Sequence, residues 1–246
     1  GNQMTKVDVA AIHQARENLR QDIAGELQDD LLELYHSNKV NRPYRPDPAD
    51  AAQRKLKNGA LSYLMTLDAP SVRSLGVSQF ETADNMTDSM AALACLVDLD
   101  CPEREAALRD FYTRWQDDSL VLDKWLSLQA MSSLPGTLSN VKALLDHPVF
   151  SLRNPNKVRA LIGAFCAGNQ LRFHGEDSAG YVFLADQILT LDDINPQVAA
   201  RLLAPLGQWR RFDEQRQLAM RGQLSRILEK SGLSRDVYEI ASKSLD

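Results

Sequence analysis

Apolar residues recur along this chain at i, i+3, i+4 and i+7, the spacing that gathers side chains onto one face of a 3.6-residue helix. Leu108, Phe111, Tyr112 and Trp115 form one such set, Val158, Leu161, Ile162 and Phe165 another, and Tyr181, Leu184, Ala185 and Ile188 a third. Looser versions run through Leu56, Ala60, Tyr63, Leu64 and Leu67, through Met86, Met90, Leu93 and Val97, and through Met220, Leu224, Ile227 and Leu228. No clean run of alternating strand residues interrupts them. The pattern predicts an all-α chain of about a dozen helices of roughly 10 to 20 residues. Short connectors make neighbouring helices pack antiparallel, giving a globular bundle or a curved stack of helix pairs. No strict period of roughly 30 to 45 residues is present. The expected fold is therefore an irregular superhelix of antiparallel helix pairs, a HEAT- or armadillo-like bowl, forming one domain over residues 1–246.

Helix starts are signalled by a small polar residue followed by proline, whose missing N–H costs nothing at the first helical position. Asp47-Pro48, Asn154-Pro155 and Asn195-Pro196 fit this rule, and Asp177, Asp213 and Ser234 are further candidate caps. The Trp residues 115, 125 and 209 each belong to or border an apolar stripe and are expected in the core.

Lys and Arg total 28 against 33 Asp and Glu, a formal charge of −5. A protein that neutralises nucleic-acid phosphates needs a basic face, and no Lys/Arg block here exceeds two residues, so no nucleic-acid partner is expected. No stretch approaches the roughly 18 apolar residues needed to cross a bilayer, and the first residues carry no hydrophobic signal core. Neither insertion nor export is expected. Cys95, Cys101 and Cys166 are odd in number and widely spaced, which argues against a disulfide framework or cysteine zinc site and for a reducing, cytoplasmic location.

Motifs that carry chemistry are mostly missing. None of His13, His36, His147 and His174 lies i, i+4 from another, and HExxH, GxSxG, GxxxxGK[ST] and GxGxxG do not occur. His13 and Glu17 share a polar helix face and are expected to be solvated. The stretch FHGEDSAGY at residues 173–181 clusters His174, Glu176 and Asp177, which in principle suits acid/base work. The plainer expectation is a tight turn permitted by Gly175 and Gly180, with Asp177 capping the next helix.

Several longer phrases carry a resemblance: SLVLDKWLSLQAMS at 119–132, HPVFSLRNPNKVRALIGAF at 147–165, FHGEDSAGYVFLADQILTLDDINPQVAARL at 173–202 and LYHSNKVNRPYRPD at 34–47. From about Asp8 onward the chain closely resembles the C-terminal helical domain of the bacterial aminopeptidase N family, zinc metallopeptidases also called alanyl aminopeptidases. In that family the preceding domains carry HExxH, a distant glutamate ligand, a GxMEN motif and a catalytic tyrosine. The resemblance implies that this chain is a fragment whose first residue is not a natural start. It also implies that zinc belongs to the parent enzyme's catalytic domain, with no cofactor in this chain, and that the isolated chain is inactive. Its implied partners are the catalytic domain of the same polypeptide and short peptide substrates. The implied role is a helical cap that closes over the catalytic domain, forms the wall of the substrate chamber and limits entry to short peptides.

Within NPQVAARL, Gln197 and Arg201 lie i, i+4 and project from one side, where an amide and a guanidinium can grip a peptide backbone or terminal carboxylate. The resemblance places both on the segment facing the chamber, and matches Arg159 to another arginine near the inner surface, where pairing with a carboxylate across a domain interface is the alternative. The competing reading of the whole chain is a freestanding helical-repeat scaffold whose concave face binds another protein.

Overall fold

The structure, a computed structural model, describes residues 4–246, and these are entirely helical and irregular with no strand among them. They divide into two compact units, a first formed by His13–Arg114 and a second formed by residues 4–12 together with Trp115–Asp246.

The first unit is built from α1 (Val9–Glu26) from His13 onward, α2 (Gln28–Ser37), α3 (Pro48–Leu64), a 3-10 turn at Met65–Leu67, α4 (Pro70–Thr82), α5 (Met86–Val97) and α6 (Pro102–Trp115) up to Arg114. Asp47 starts α3 as expected, its carboxylate accepting the Ala49 amide at 2.8 Å with Pro48 at the first position. Asn85 does the same for α5, accepting the Asp88 amide at 3.0 Å. The pairs α2 with α3 and α4 with α5 pack closely, around Leu61, Leu64, Val72, Phe80, Leu93 and Leu96. Gly76 lets α4 approach the 3-10 turn, since a β-carbon there would stand 3.0 Å from the Met65 sulfur.

The second unit contains α7 (Ser119–Ala130), α8 (Thr137–Leu145), α9 (Pro155–Val158), a π-helix at Arg159–Gly168, α10 (Gln170–Phe173), α11 (Ala179–Asp192), α12 (Pro196–Leu202), α13 (Ala204–Gly207), a 3-10 turn at Trp209–Arg211, α14 (Glu214–Leu228) and α15 (Arg235–Leu245). The expected caps are present: Asn154, Asn195, Asp213 and Ser234 each accept a first-turn amide. The core is aromatic at its centre. Phe165 meets Phe173 and Phe183 edge to face at 6.3 and 5.8 Å, the geometry favoured by ring quadrupoles. The Val7 amide donates to the Arg211 carbonyl at 2.7 Å, tying the amino-terminal segment to this unit.

Three expectations need correcting. α10 and α13 are single turns of four residues and α12 has seven; α9 also has four but runs directly into the π-helix, and Pro155 and Pro196 stand at the first positions of α9 and α12. Trp115 is 36% exposed at the end of α6 rather than buried, whereas Trp125 and Trp209 are in the core. In α3, Leu56 is half exposed, and the buried face runs instead through Asp50, Arg54, Lys57, Ala60, Leu61 and Leu64.

Candidate functional site

α12 is oriented by what it buries. Ala199 and Leu202 face inward, the Asn195 side chain holds the first turn through the Val198 amide at 3.2 Å, and Gln197 and Arg201 are left on the outer side. Both are exposed, and neither forms a hydrogen bond or ion pair with the other described residues. Val198 is half-buried, so it flanks the apolar side as the spacing implied.

Arg159 opens the π-helix. Its backbone is fixed from both sides: Asn154 caps α9 through the Asn156 amide at 2.9 Å, and the Ser127 hydroxyl of α7 donates to the Ala160 carbonyl at 2.9 Å. The exposed guanidinium donates to the Asn156 side chain one turn back. Lys157, two residues earlier, is spent internally, with its ammonium 2.9 Å from Asp123 and 2.8 Å from the Ser119 carbonyl. The structure thus sets Gln197 and Arg201 one turn apart on one helix and Arg159 on another element, all three exposed; no hydrogen bond joins Arg159 to the other two.

The FHGEDSAGY stretch is structural. His174 is 3% exposed, with its Nδ1 at 2.8 Å from the Tyr181 hydroxyl and its ring 4.1 Å from that of Phe212. Burial, assisted by the nearby Arg216 and opposed by Asp213, lowers its pKa to about 4. A ring that stays neutral and sealed in aromatic surroundings is poorly placed to exchange protons with a ligand. Asp177 accepts the Ala179 amide at 3.0 Å, but it stands one residue before the expected cap position: the N-cap of α11 is Ser178, whose own side chain caps nothing. The turn itself differs from expectation: Ser178 takes the positive φ of 56°, while Gly180 is needed for closeness, since a β-carbon there would stand 2.3 Å from the Phe173 carbonyl oxygen.

The composition of α3 concealed a buried polar network in the first unit. The Lys57 ammonium lies 2.6 Å from Asp88, whose other oxygen accepts from Asn58 at 2.9 Å. Gln79 donates to Asn58 at 2.8 Å and to the Asp88 carbonyl at 3.0 Å. Beside it opens a cleft of about 270 Å³ lined by Tyr35, Lys39, Lys57, Gln79, Asp84 and Asp88. Lys57 and Asp88 are 31 residues apart, so no local pattern marks the pair; the one local signal is Asn85, a cap residue three before Asp88 that was not among the caps expected from the sequence. Among the described residues no group of three or more His, Cys, Asp or Glu is arranged to hold a metal ion. No described helix is long and apolar enough to cross a membrane. Glu17 pairs with Arg20 at 3.2 Å.

An all-helical chain built of packed pairs is the architecture of armadillo-type repeats, and the sequence agrees: the chain belongs to the family described as "Domain of unknown function (DUF3458_C) ARM repeats", matched over residues 1–246. It is 40% identical over 239 residues to the C-terminal region of aminopeptidase N from Escherichia coli, covering 97% of this chain and 27% of that protein. Aminopeptidase N from Caulobacter vibrioides is 42% identical over 240 residues, with 97% and 28% covered. The crystal structure of Legionella pneumophila aminopeptidase A in complex with aspartic acid matches with a TM-score of 0.91 and 34% identity, over all of this chain and 30% of that one. The chain spans little more than a quarter of the length of the curated relatives it matches.

Proposed function

We propose that this chain is the C-terminal helical part of a cytoplasmic, zinc-dependent aminopeptidase that removes N-terminal residues from peptides. In this reading it caps the catalytic domain, walls the substrate chamber and restricts entry to short peptides. The observation that carries the proposal is the alignment of 97% of the chain with aminopeptidase N at 40% identity, joined to the TM-score of 0.91 against an aminopeptidase structure. The described residues hold no group of three or more His, Cys, Asp or Glu arranged for a metal ion; in this reading the zinc and the bond-breaking chemistry belong to the parent enzyme's catalytic domain.

The part left to these residues is binding. Arg201 and Gln197 present a cation and an amide one turn apart, and Arg159 a second cation, with none of the three committed to a carboxylate among the described residues. A guanidinium can take a peptide's terminal carboxylate by two parallel hydrogen bonds, and an amide can pair with its backbone. Enclosure would exclude folded proteins and water alike.

The test uses the complete polypeptide that contains this sequence. Arg201→Ala should raise KM for peptides of several residues more than for single aminoacyl amides, because only the longer ligand reaches the wall. Equal effects on both classes would remove the proposed role. Blotting cell extract for this domain should show a product several times larger that contains HExxH peptides; a band of this chain's own mass would favour the scaffold reading instead.

A further inference from the structure

The cleft of the first unit holds four charged groups that are not equivalent. Lys57 and Asp88 neutralise each other at 2.6 Å and are buried. Lys39 and Asp84 are different: both line the cleft, both are exposed, and neither has an ion-pair partner among the described residues. The Lys39 ammonium is held 5.1 Å from the centre of the Tyr35 ring, a cation–π position that points it without neutralising it. Asp84 is held as firmly, since one oxygen accepts the Tyr44 amide at 2.8 Å and the other the Asn85 amide group at 3.0 Å. Those hydrogen bonds, with a smaller contribution from the charge of Arg54, keep its carboxyl below the usual carboxylate range, so it is ionised at neutral pH, and Arg54 makes no ion pair with it.

The rest of the lining is also polar. Burial and Asp88 push the Tyr35 phenol up to about 12, so it remains a neutral hydroxyl, and Ser78 and Thr82 add two more. An isolated anion would suit Lys39 but face Asp84 and Asp88, and an isolated cation the reverse. A ligand carrying both charges satisfies both groups, and about 270 Å³ accommodates a small one.

We propose that this cleft binds a small zwitterion with a free ammonium and a free carboxylate, an amino acid or short peptide, with Asp84 taking the ammonium and Lys39 the carboxylate. The site lies within the first unit and uses none of Gln197, Arg201 or Arg159, so it stands whether or not the peptidase reading does.

The experiment is a titration of the isotope-labelled 246-residue chain followed by amide NMR. Glycine, diglycine and triglycine form one arm and set the length accepted; N-acetylglycine and glycinamide, which lack one charge each, form the other. At least one zwitterion should give saturable shifts at Ser78, Thr82 and Asp84, with the singly charged compounds weaker by roughly tenfold or more, as loss of a charge-assisted hydrogen bond implies. Lys39→Ala and Asp84→Asn should each weaken it similarly, while Lys55→Ala, which removes an exposed lysine outside the cleft, should not. Unchanged amide spectra elsewhere in the variants establish that they fold. Absence of saturable shifts up to the solubility limit, equal binding of the singly charged compounds, or an equal loss in Lys55→Ala would each overturn the proposal.

Discussion

The first unit places Asp50, Arg54, Lys57 and Asp88 at or below 8% exposure, whereas the second centres on the rings of Phe165, Phe173, Tyr181 and Phe183 with a neutral His174 against them, and buries two charged groups, Lys157 and Asp192, each paired with a more exposed partner. Both are stacks of short helices and both bury ion pairs, yet the balance between charge pairing and aromatic packing differs. Apolar packing degrades gradually when a group is trimmed, because neighbours relax part of the way into the space. A buried ion pair does not: each ion has lost its water, and only its partner offsets that loss. The first unit should therefore be brittle toward single polar substitutions and tolerant of paired ones. In the second, the same rule applies at Lys157 and Asp192, and the other sensitive positions are those where backbone approaches backbone or a titratable ring is sealed.

The largest effect expected from this contrast is at Asp88. Asp88→Ala strands the Lys57 ammonium and frees donors of Asn58 and Asn85, at a cost of about 3 to 5 kcal/mol, read as a fall in the urea midpoint of the first unit's transition. Replacing both members, Lys57→Met with Asp88→Leu, should recover most of that loss. A double variant as unstable as the single one would show that packing and not charge governs this interior.

His174 comes next and turns the comparison into a pH experiment. Its folded pKa, about 4, lies below the ordinary 6.5, so the fold favours the neutral ring. The resulting stabilisation is complete above pH 6.5 and is lost as pH falls from there toward 4, by up to about 3 kcal/mol. His174→Gln should flatten the stability profile of the second unit across that window while leaving the first unit's acid response unchanged. An unaltered profile would mean that the ring opens to water before it titrates.

Gly180→Ala should cost about 2 kcal/mol, because the new methyl group must displace the Phe173 carbonyl. Gly222→Ala, where nothing lies within 4 Å, serves as the control and should be stabilising or neutral. If the two substitutions behave alike in thermal melts, the close approach of α11 to α10 is not the constraint it is taken to be.

These sites also show what can be read from sequence and what cannot. Caps were legible because an N-cap acts within three residues, and Asp47, Asn154, Asn195, Asp213 and Ser234 all accept the amides expected of them. The stripes at Val158–Phe165 and Tyr181–Ile188 were legible because every member is buried. The π-helix was not. Its apolar spacing satisfies an α-helix equally well, and the wider turn is visible only in such bonds as the Asn169 amide shared between Ala164 and Phe165 carbonyls at 3.2 Å. The face of α3 was misjudged for a related reason: Leu56 looked apolar and Lys57 polar, but Asp88, far along the chain, makes Lys57 the residue worth burying. Gln197, Arg201 and Arg159 were marked by resemblance, and their exposure is compatible with any ligand or none.

The smallest effects belong to α12, where stability and function should separate. Asn195→Ala removes a cap and should cost about 1 kcal/mol, loosening the turn that carries both proposed contacts. Arg201→Ala removes an exposed side chain with no partner in the described chain, and should change stability by less than about 0.5 kcal/mol. A rise in peptide KM with Arg201→Ala at unchanged stability would then report a lost ligand contact, while the same rise with Asn195→Ala would report a turn no longer held. If Arg201→Ala destabilises the chain as much as Asn195→Ala does, the arginine is a structural residue whose partner lies elsewhere in the polypeptide, and the substrate-facing role passes to Gln197 and Arg159 or fails altogether.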